Sequence, residues 1–404
     1  GMASEPITPS AEVLLPMNMH SGQAAVPVVE VGQHVYRGQL IAREEGKNSS
    51  PVHASVSGTV KAIEPYGRTQ AIRIESDGRM EADPELKAPD VHDLDSFLQA
   101  VRESGIVGLG GAAFPVWAKL DAVRRNKIKT VLINGAECEP YITSDDRTMV
   151  EHSELIKQGV ALLKQYLGSE EFIIGIEKNK PAAIAELERT FADDPAVTVK
   201  PLKSVYPQGA KQVLLYNATG KVVGPGQRLA SLGVIIINVT SLTKVAQYMN
   251  DGMPLVEKTV TVDGSAVKEP KNLIVPIGTP VGYVIEQAGG FKCEPGKVIL
   301  GGPMMGICAT SFDAPTVKGT AGVLFFTEEE DRHVENPTCI RCGKCISVCP
   351  MNLEPVFMYM YYSKRDFENM EKYHILDCFE CGSCAFNCPA RMPLTHAFKT
   401  AKLM

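Results

Sequence analysis

Eight of the 11 cysteines fall in two short runs, CIRCGKCISVCP from Cys339 to Pro350 and CFECGSCAFNCP from Cys378 to Pro389. Each run reads C-x2-C-x2-C-x3-C-P, with a glycine after the second cysteine. Three thiolates at that spacing wrap one 4Fe–4S cube, and the fourth reaches the cube of the other run. One cube is therefore expected on Cys339, Cys342, Cys345 and Cys388, and a second on Cys378, Cys381, Cys384 and Cys349. Pro350 and Pro389 stop the helix after each fourth cysteine and help turn that side chain away from its own triplet. Structural zinc pairs two C-x2-C hooks, and a third cysteine three residues on has no place in one tetrahedron. Disulfides need an oxidising compartment, which nothing here suggests. The chemistry these residues point to is single-electron transfer.

At 404 residues the chain is too long for one core, and roughly three or four domains are expected. It is 44% hydrophobic and 22% charged, the composition of an ordinary globular protein. A formal net charge of −6 argues against nucleic acid as the main partner, because phosphate binding calls for a basic surface. No apolar run approaches the ~20 residues of a membrane helix, and no stretch reads as a signal peptide, so a cytoplasmic chain is expected. Gly1 before Met2 reads as a cleavage scar. Cys138, Cys293 and Cys308 remain outside the two runs as expected thiols, the last two as small buried residues.

Residues from about 11 to 76 alternate short apolar stretches with Gly, Pro and Ser turns, a β pattern. VVEVGQHVYRGQLIA (28–42) and SPVHASVSGTVKAIE (50–64) resemble the barrel-sandwich hybrid of lipoyl and biotinyl carrier domains. Lys47 lies near the hairpin where such carriers are modified, but EEGKNS lacks the usual flanks and a plain turn lysine is expected. His53 reads equally as a strand-end or a core histidine.

Next, Asp93 or Asp95 caps a helix running through Glu103, and a glycine-rich loop follows. Pro115 starts a helix reaching about Arg125, and KTVLIN is a buried strand. Gly108, Gly110 and Ala113 match the dinucleotide fingerprint on paper, yet that fingerprint needs a strand before the loop and here a helix precedes it. The loop keeps a physical meaning: Gly108, Gly110 and Gly111 carry no side chains, so a flat ring or a phosphate can approach backbone N–H groups. Close helix packing is the plainer reading.

GLGGAAFPVWAK (108–119) followed by NGAECEP (134–140) resembles the flavin-binding loops of the NADH-oxidising flavoprotein subunit of complex I. The closer resemblance is to the C subunits of Rnf electron transport complexes, where electrons enter. It takes in PVHASVSGTVKAI (51–63), NGAECEPYITSDDRTM (134–149), IGIEKNKPAAI (174–184), YPQGAKQ (206–212) and GGPMMG (301–306), in order, before the cysteine runs. The resemblance implies that Gly108, Gly110, Gly111 and Lys119 hold FMN. It implies that Asn134, Glu137 and Glu139 touch the isoalloxazine and the nicotinamide, and that Asn238 lies near the ribityl phosphate. FMN would then stand between NADH or NADPH, as substrate, and the two clusters. The chain departs from the pattern at three places. Lys211 stands where an acidic residue is usual, Ile237-Asn238 replaces paired asparagines, and Val116 replaces a threonine. A cation at 211 would weaken a contact to the ribose 2′-hydroxyl and welcome a 2′-phosphate.

The expected architecture is a multidomain α/β chain. A barrel-sandwich hybrid (9–80) precedes an α/β domain for FMN and pyridine nucleotide (90–252), which carries a partly parallel sheet and a helix over 151–166. A β-grasp module for a soluble ligand (256–312) leads through an acidic linker (322–338) to a helical domain with two 4Fe–4S clusters (330–404). In that last domain the Met- and Tyr-rich helices of 354–376 are expected to form core, and the Phe and Ile inside each run to exclude water. Gly301, Gly302 and Gly306 with Met304 and Met305 read as a ligand surface or a packed turn. The implied partners are the membrane subunits of an Rnf-type complex, with the chain peripheral on the inner face of the membrane. A soluble reductase, or an adaptor role without the nucleotide site, are the alternatives.

Overall fold

The computed structural model describes residues 2–330 and 334–404, so Asp331, Arg332 and His333 of the expected linker lie outside the described residues. The N-terminal β pattern forms two sheets. Strands Glu12–Pro16, Thr69–Ser76, Gly58–Tyr66 and His34–Val35 pair in that order, and Val26–Pro27, Leu40–Arg43 and Val52–His53 make the second. Alternate residues Val13, Leu15, Ile72 and Ile74 are fully buried, as the two-residue period of a half-buried strand requires. Lys47 stands exposed in a turn.

The central domain carries a sheet of four strands in the spatial order Val197–Leu202, Glu171–Glu177, Thr130–Gly135, Val234–Asn238. Every pairing is parallel, more regular than the partly parallel sheet expected from sequence. The reason lies in side-chain direction. Val131, Ile133, Phe172, Ile174, Ile235 and Ile237 enter one core, while Leu132, Ile173, Val234 and Ile236 enter another on the opposite face. Strands covered on both faces read as continuous apolar runs, and helices are what cover them. The helix beginning at Ser153 extends to Leu167, and a separate helix, Ser144–Glu151, precedes it. Further helices are Leu94–Glu103, capped by Asp93, then Val116–Leu120, Pro181–Thr190, Lys211–Thr219 and Val239–Asp251.

The next sheet corrects the linker reading. Its order is Ser4–Pro6, Lys271–Pro276, Glu257–Asp263, Gly322–Phe326, Lys297–Leu300, Ile307–Cys308. Gly322–Phe326 is buried at all five positions, in the middle of the sheet. The acidic stretch after it masks a strand whose partners, Glu257–Asp263 and Lys297–Leu300, lie well back in the chain. Cys293 and Cys308, expected as buried, are exposed, Cys308 on an edge strand. The C-terminal helices Pro355–Ser363, Phe367–Lys372 and Leu394–Ala401 close around Met358, Met370 and Phe398. No described helix is long and apolar enough to cross a membrane.

One buried cation joins three of these units. Lys318 is 1% exposed, and its Nζ donates to Pro51 O at 2.7 Å, Gly105 O at 2.7 Å and Ser50 Oγ at 3.2 Å. Burial pulls the amine down to about 7, while three oxygens offer one acceptor for each N–H of the charged form. His53 lies beside it as a core histidine, held neutral down to about 3 by burial and by the lysine charge. Lys318→Met removes the donor, strands the buried Pro51 carbonyl and leaves Gly105 O with Ser50 Oγ at 3.2 Å as its remaining donor. It is expected to cost about 2–4 kcal/mol, read as reduced amide protection across 50–54 and 104–107 in native-state hydrogen exchange.

Candidate flavin and cluster site

In sequence order the four parallel strands are arranged 3-2-1-4, so the winding reverses between Thr130–Gly135 and Val234–Asn238. Asn134 and Asn238 sit opposite each other in register at the C-terminal ends of those strands. An open α/β sheet binds ligands in the crevice outside the strand ends at such a reversal. The helix Val239–Asp251 opens there with its orphan N–H groups, and Asn238 caps it by accepting from Ser241 N at 3.1 Å.

The glycine loop stands over this crevice as a pinned hairpin. Gly108 N donates to Phe114 O, and Ala113 N to Gly108 O. Ser241 Oγ accepts from Leu109 N at 2.9 Å and donates to Val107 O at 3.0 Å. Buried Lys258 donates to Leu109 O at 2.7 Å. The tip is left open: Gly110, Gly111 and Ala112 are exposed, and their N–H groups donate to none of the described residues. A methyl on Gly110 would lie 3.1 Å from Asn238 Nδ2, so loop and strand end meet at this point. Gly111, at φ +123°, holds a backbone conformation that a side chain would strain.

The remaining expected residues fall around the same crevice, mostly as fasteners. Asn134 Nδ2 donates to Gly209 O at 3.0 Å, joining its loop to the one carrying Tyr206 and Lys211. Glu137 accepts from Asp145 N at 2.7 Å and Asp146 N at 3.2 Å, capping the helix Ser144–Glu151. Burial and the neighbouring Asp145 carboxylate push Glu137 up, against the pull of Lys180 and the N–H donors. Asp145 in turn accepts from Asn238 Nδ2 at 2.7 Å and Thr240 Oγ1 at 2.6 Å. Glu139 accepts from Met304 N and Met305 N, each at 2.9 Å. GGPMMG is thus a turn packed on a carboxylate. Sequence reasoning missed Asp145, Lys180 and Lys258 as parts of this network. For Lys258 a signal existed, because strand alternation puts it inward with Val260 and Val262.

At the other end of the chain, Cys349, Cys378, Cys381 and Cys384 line one recess, with Met358 and Phe398 in its wall. Three of these thiols come from the second run and one from the first, the set that a shared double-cluster fold gathers round one cube. Cys339 and Cys342 are exposed, while Cys345 and Cys388 are half-buried. Of the apolar residues expected to keep water from the cubes, Ile346 and Phe379 are half-buried, but Ile340 and Phe386 are 64% and 66% exposed.

Family models match the four units in order. They are the RnfC barrel sandwich hybrid domain at 3–79, the Nuo51 FMN-binding domain at 101–247, the SLBB domain at 259–307 and the 4Fe-4S dicluster domain at 333–389. The C subunit of the Na(+)-translocating ferredoxin:NAD(+) oxidoreductase complex of Acetobacterium woodii is 40% identical over 398 residues, 96% of this chain and 90% of that protein. The chain belongs to this family of Rnf C subunits. The C subunit of the proton-translocating ferredoxin:NAD(+) oxidoreductase complex of Clostridium ljungdahlii is 39% identical over 91% of this chain and 82% of its own length. The C subunit of the Rhodobacter capsulatus ion-translocating oxidoreductase complex is 37% identical over 97% and 78%. Among solved structures, an NAD+-reducing nickel–iron hydrogenase in the air-oxidised state shares the fold, with a TM-score of 0.51 at 22% identity. The likeness covers 78% of this chain and 55% of that one.

An FMN-binding domain thus meets a crevice with free N–H donors, a helix start and a backbone stripped of side chains, features that fit a flavin phosphate and ring. We propose Lys119 as its cation. Lys119 is half-buried, and desolvation together with the Lys211 charge brings it down to about 7. A phosphate dianion favours the charged amine, so above that pH binding must take up a proton and affinity must fall as pH rises. Lys119→Met is expected to weaken FMN binding near pH 7 and to flatten that fall, as measured by titration calorimetry in buffers of different ionisation enthalpy.

Proposed function

We propose that the chain is the component through which pyridine-nucleotide electrons enter or leave an Rnf-type complex. The observation that carries this reading is one loop with two neighbours. Residues 202–210 border the flavin crevice through Gly209 and Asn134, and Tyr206 on the same loop donates to Cys381 O at 2.5 Å. When bound, FMN exchanges a hydride with nicotinamide and single electrons with 4Fe–4S clusters, a conversion neither partner performs alone. The protein's part is to hold and orient. The open N–H groups of Gly110–Ala112 and the helix start at Val239 receive the flavin, Lys119 neutralises its phosphate, and the eight cysteines of the two runs ligate two clusters.

The names of the relatives give their couple as ferredoxin and NAD(+). Lys211 favours a different nucleotide for this chain. It is exposed at the start of the helix Lys211–Thr219 and near enough to Lys119 for its charge to be felt. A cation there suits a 2′-phosphate better than a ribose hydroxyl. Without a described helix able to cross a membrane, the chain would be held peripherally, on the inner face, by partner subunits that do.

Anaerobic reconstitution of the full chain tests this reading. One flavin per chain is expected, with the iron and sulfide of two cubes, and with flavin bleaching by NADPH at least as readily as by NADH. Lys211→Glu is expected to turn the preference toward NADH. Dithionite-reducible clusters with a flavin that neither nucleotide bleaches, in either protein, would instead mark an adaptor without a nucleotide site.

A further inference from the structure

The two clusters do not stand equally with respect to the flavin domain. We propose that Cys349, Cys378, Cys381 and Cys384 hold the inner cluster, facing the flavin crevice. Cys339, Cys342, Cys345 and Cys388 then hold the outer one, with Tyr206 as the residue that positions the inner hook. This rests on the function proposed above and adds an order to it.

Three observations carry the order. First, the hook at Cys381–Cys384 is docked on the rest of the protein by its backbone. Tyr206 Oη donates to Cys381 O at 2.5 Å, and a methyl on Gly382 would stand 2.6 Å from Met304 O. Met304 is in turn fixed through its N–H by Glu139, on the loop that leaves the strand end at Asn134. The flavin domain therefore grips this hook directly through the loop 202–210, and the loop 134–140 reaches it through the turn that carries Met304. Second, burial follows docking: Cys381 and Cys384 are 9% exposed and Ser383 5%, whereas Cys339 and Cys342 of the first run are open. Third, Ile340 inside the first hook and Phe386 just before Cys388 face outward, at 64% and 66% exposed, while Ile346 after the hook is half-buried. Tunnelling falls off steeply with distance, so the docked set is the one-electron partner of the flavin and the open set the exchange point with a neighbouring protein of the complex.

Electrons balance in either direction. A hydride from reduced pyridine nucleotide brings two electrons and leaves the oxidised nucleotide. The electrons would leave singly by the inner and then the outer set to a one-electron acceptor on that neighbour, the proton of the hydride going to solvent, and a one-electron donor there with a proton from solvent would reverse the path.

The test uses the full chain, reconstituted anaerobically, with cluster reduction followed by electron paramagnetic resonance after freeze-quenching. Cys342→Ala removes the outer cluster and Cys381→Ala the inner. Flavin is reduced either by nucleotide or by light with EDTA, and dithionite reports which clusters are present. In Cys342→Ala the remaining cluster should still be reduced from the flavin, and in Cys381→Ala it should answer to dithionite but lose flavin-driven reduction. Tyr206→Phe should alter the spectrum or midpoint potential of the cluster that survives in Cys342→Ala and leave the other unchanged. The opposite pattern in either arm overturns the order. If nucleotide fails while light succeeds, the nucleotide reading falls and the order is still decided. If Cys381→Ala does not fold or flavin is not retained, the Tyr206→Phe spectra decide it alone.

Discussion

The register that sets Asn134 beside Asn238 is the constraint on which the rest depends. It follows from a parallel sheet in which the fourth strand pairs with the first, and it opens a crevice at the strand ends. Both asparagines are engaged in protein contacts. One ties the loop at 134–140 to Gly209, and the other caps a helix and holds Asp145. Crevice, glycine loop and helix start are therefore fixed before any ligand arrives. Preorganised backbone donors of this kind bind without losing much entropy on ordering.

Outside the crevice, two polar knots replace what a single apolar core would do in a smaller protein. Lys318 holds the barrel-sandwich unit, the segment before the glycine loop and the β-grasp unit together through three oxygens. Glu139 holds the GGPMMG turn by its N–H groups, and that turn presses on Gly382. Each knot is buried or half-buried and fully partnered, so each fixes one relative placement of its neighbours. A relay between redox groups needs such fixed distances more than it needs extra stability.

Much of this is legible in the residue pattern, because the elements that matter are local. The two cysteine runs, the continuous apolar runs of the central strands and the glycine loop each announce themselves within about a dozen residues. What is not legible depends on distant pairing. Gly322–Phe326 reads as part of a linker because its acidic sequel dominates the composition, whereas its sheet partners begin at Glu257 and Lys297. Cys308 has the look of a buried thiol, yet it lies on an edge strand whose position depends on that distant pairing. Tyr206 carries no local mark of its role, since its partner is a carbonyl 175 residues away. Ile340 and Phe386 look inward-facing by type and yet stand exposed, which nothing in the adjacent sequence marks.

The central claim is that FMN lies at the strand reversal between Asn134 and Asn238, under the open tip of the glycine loop. Amide hydrogen exchange, followed with and without FMN on the apoprotein, tests it most directly. Protection is expected at Gly110–Ala112 and in the first turn after Asn238, with no change around His53 and Tyr248, which line a separate cavity. Protection around that second cavity, with the glycine loop unaltered, would contradict it.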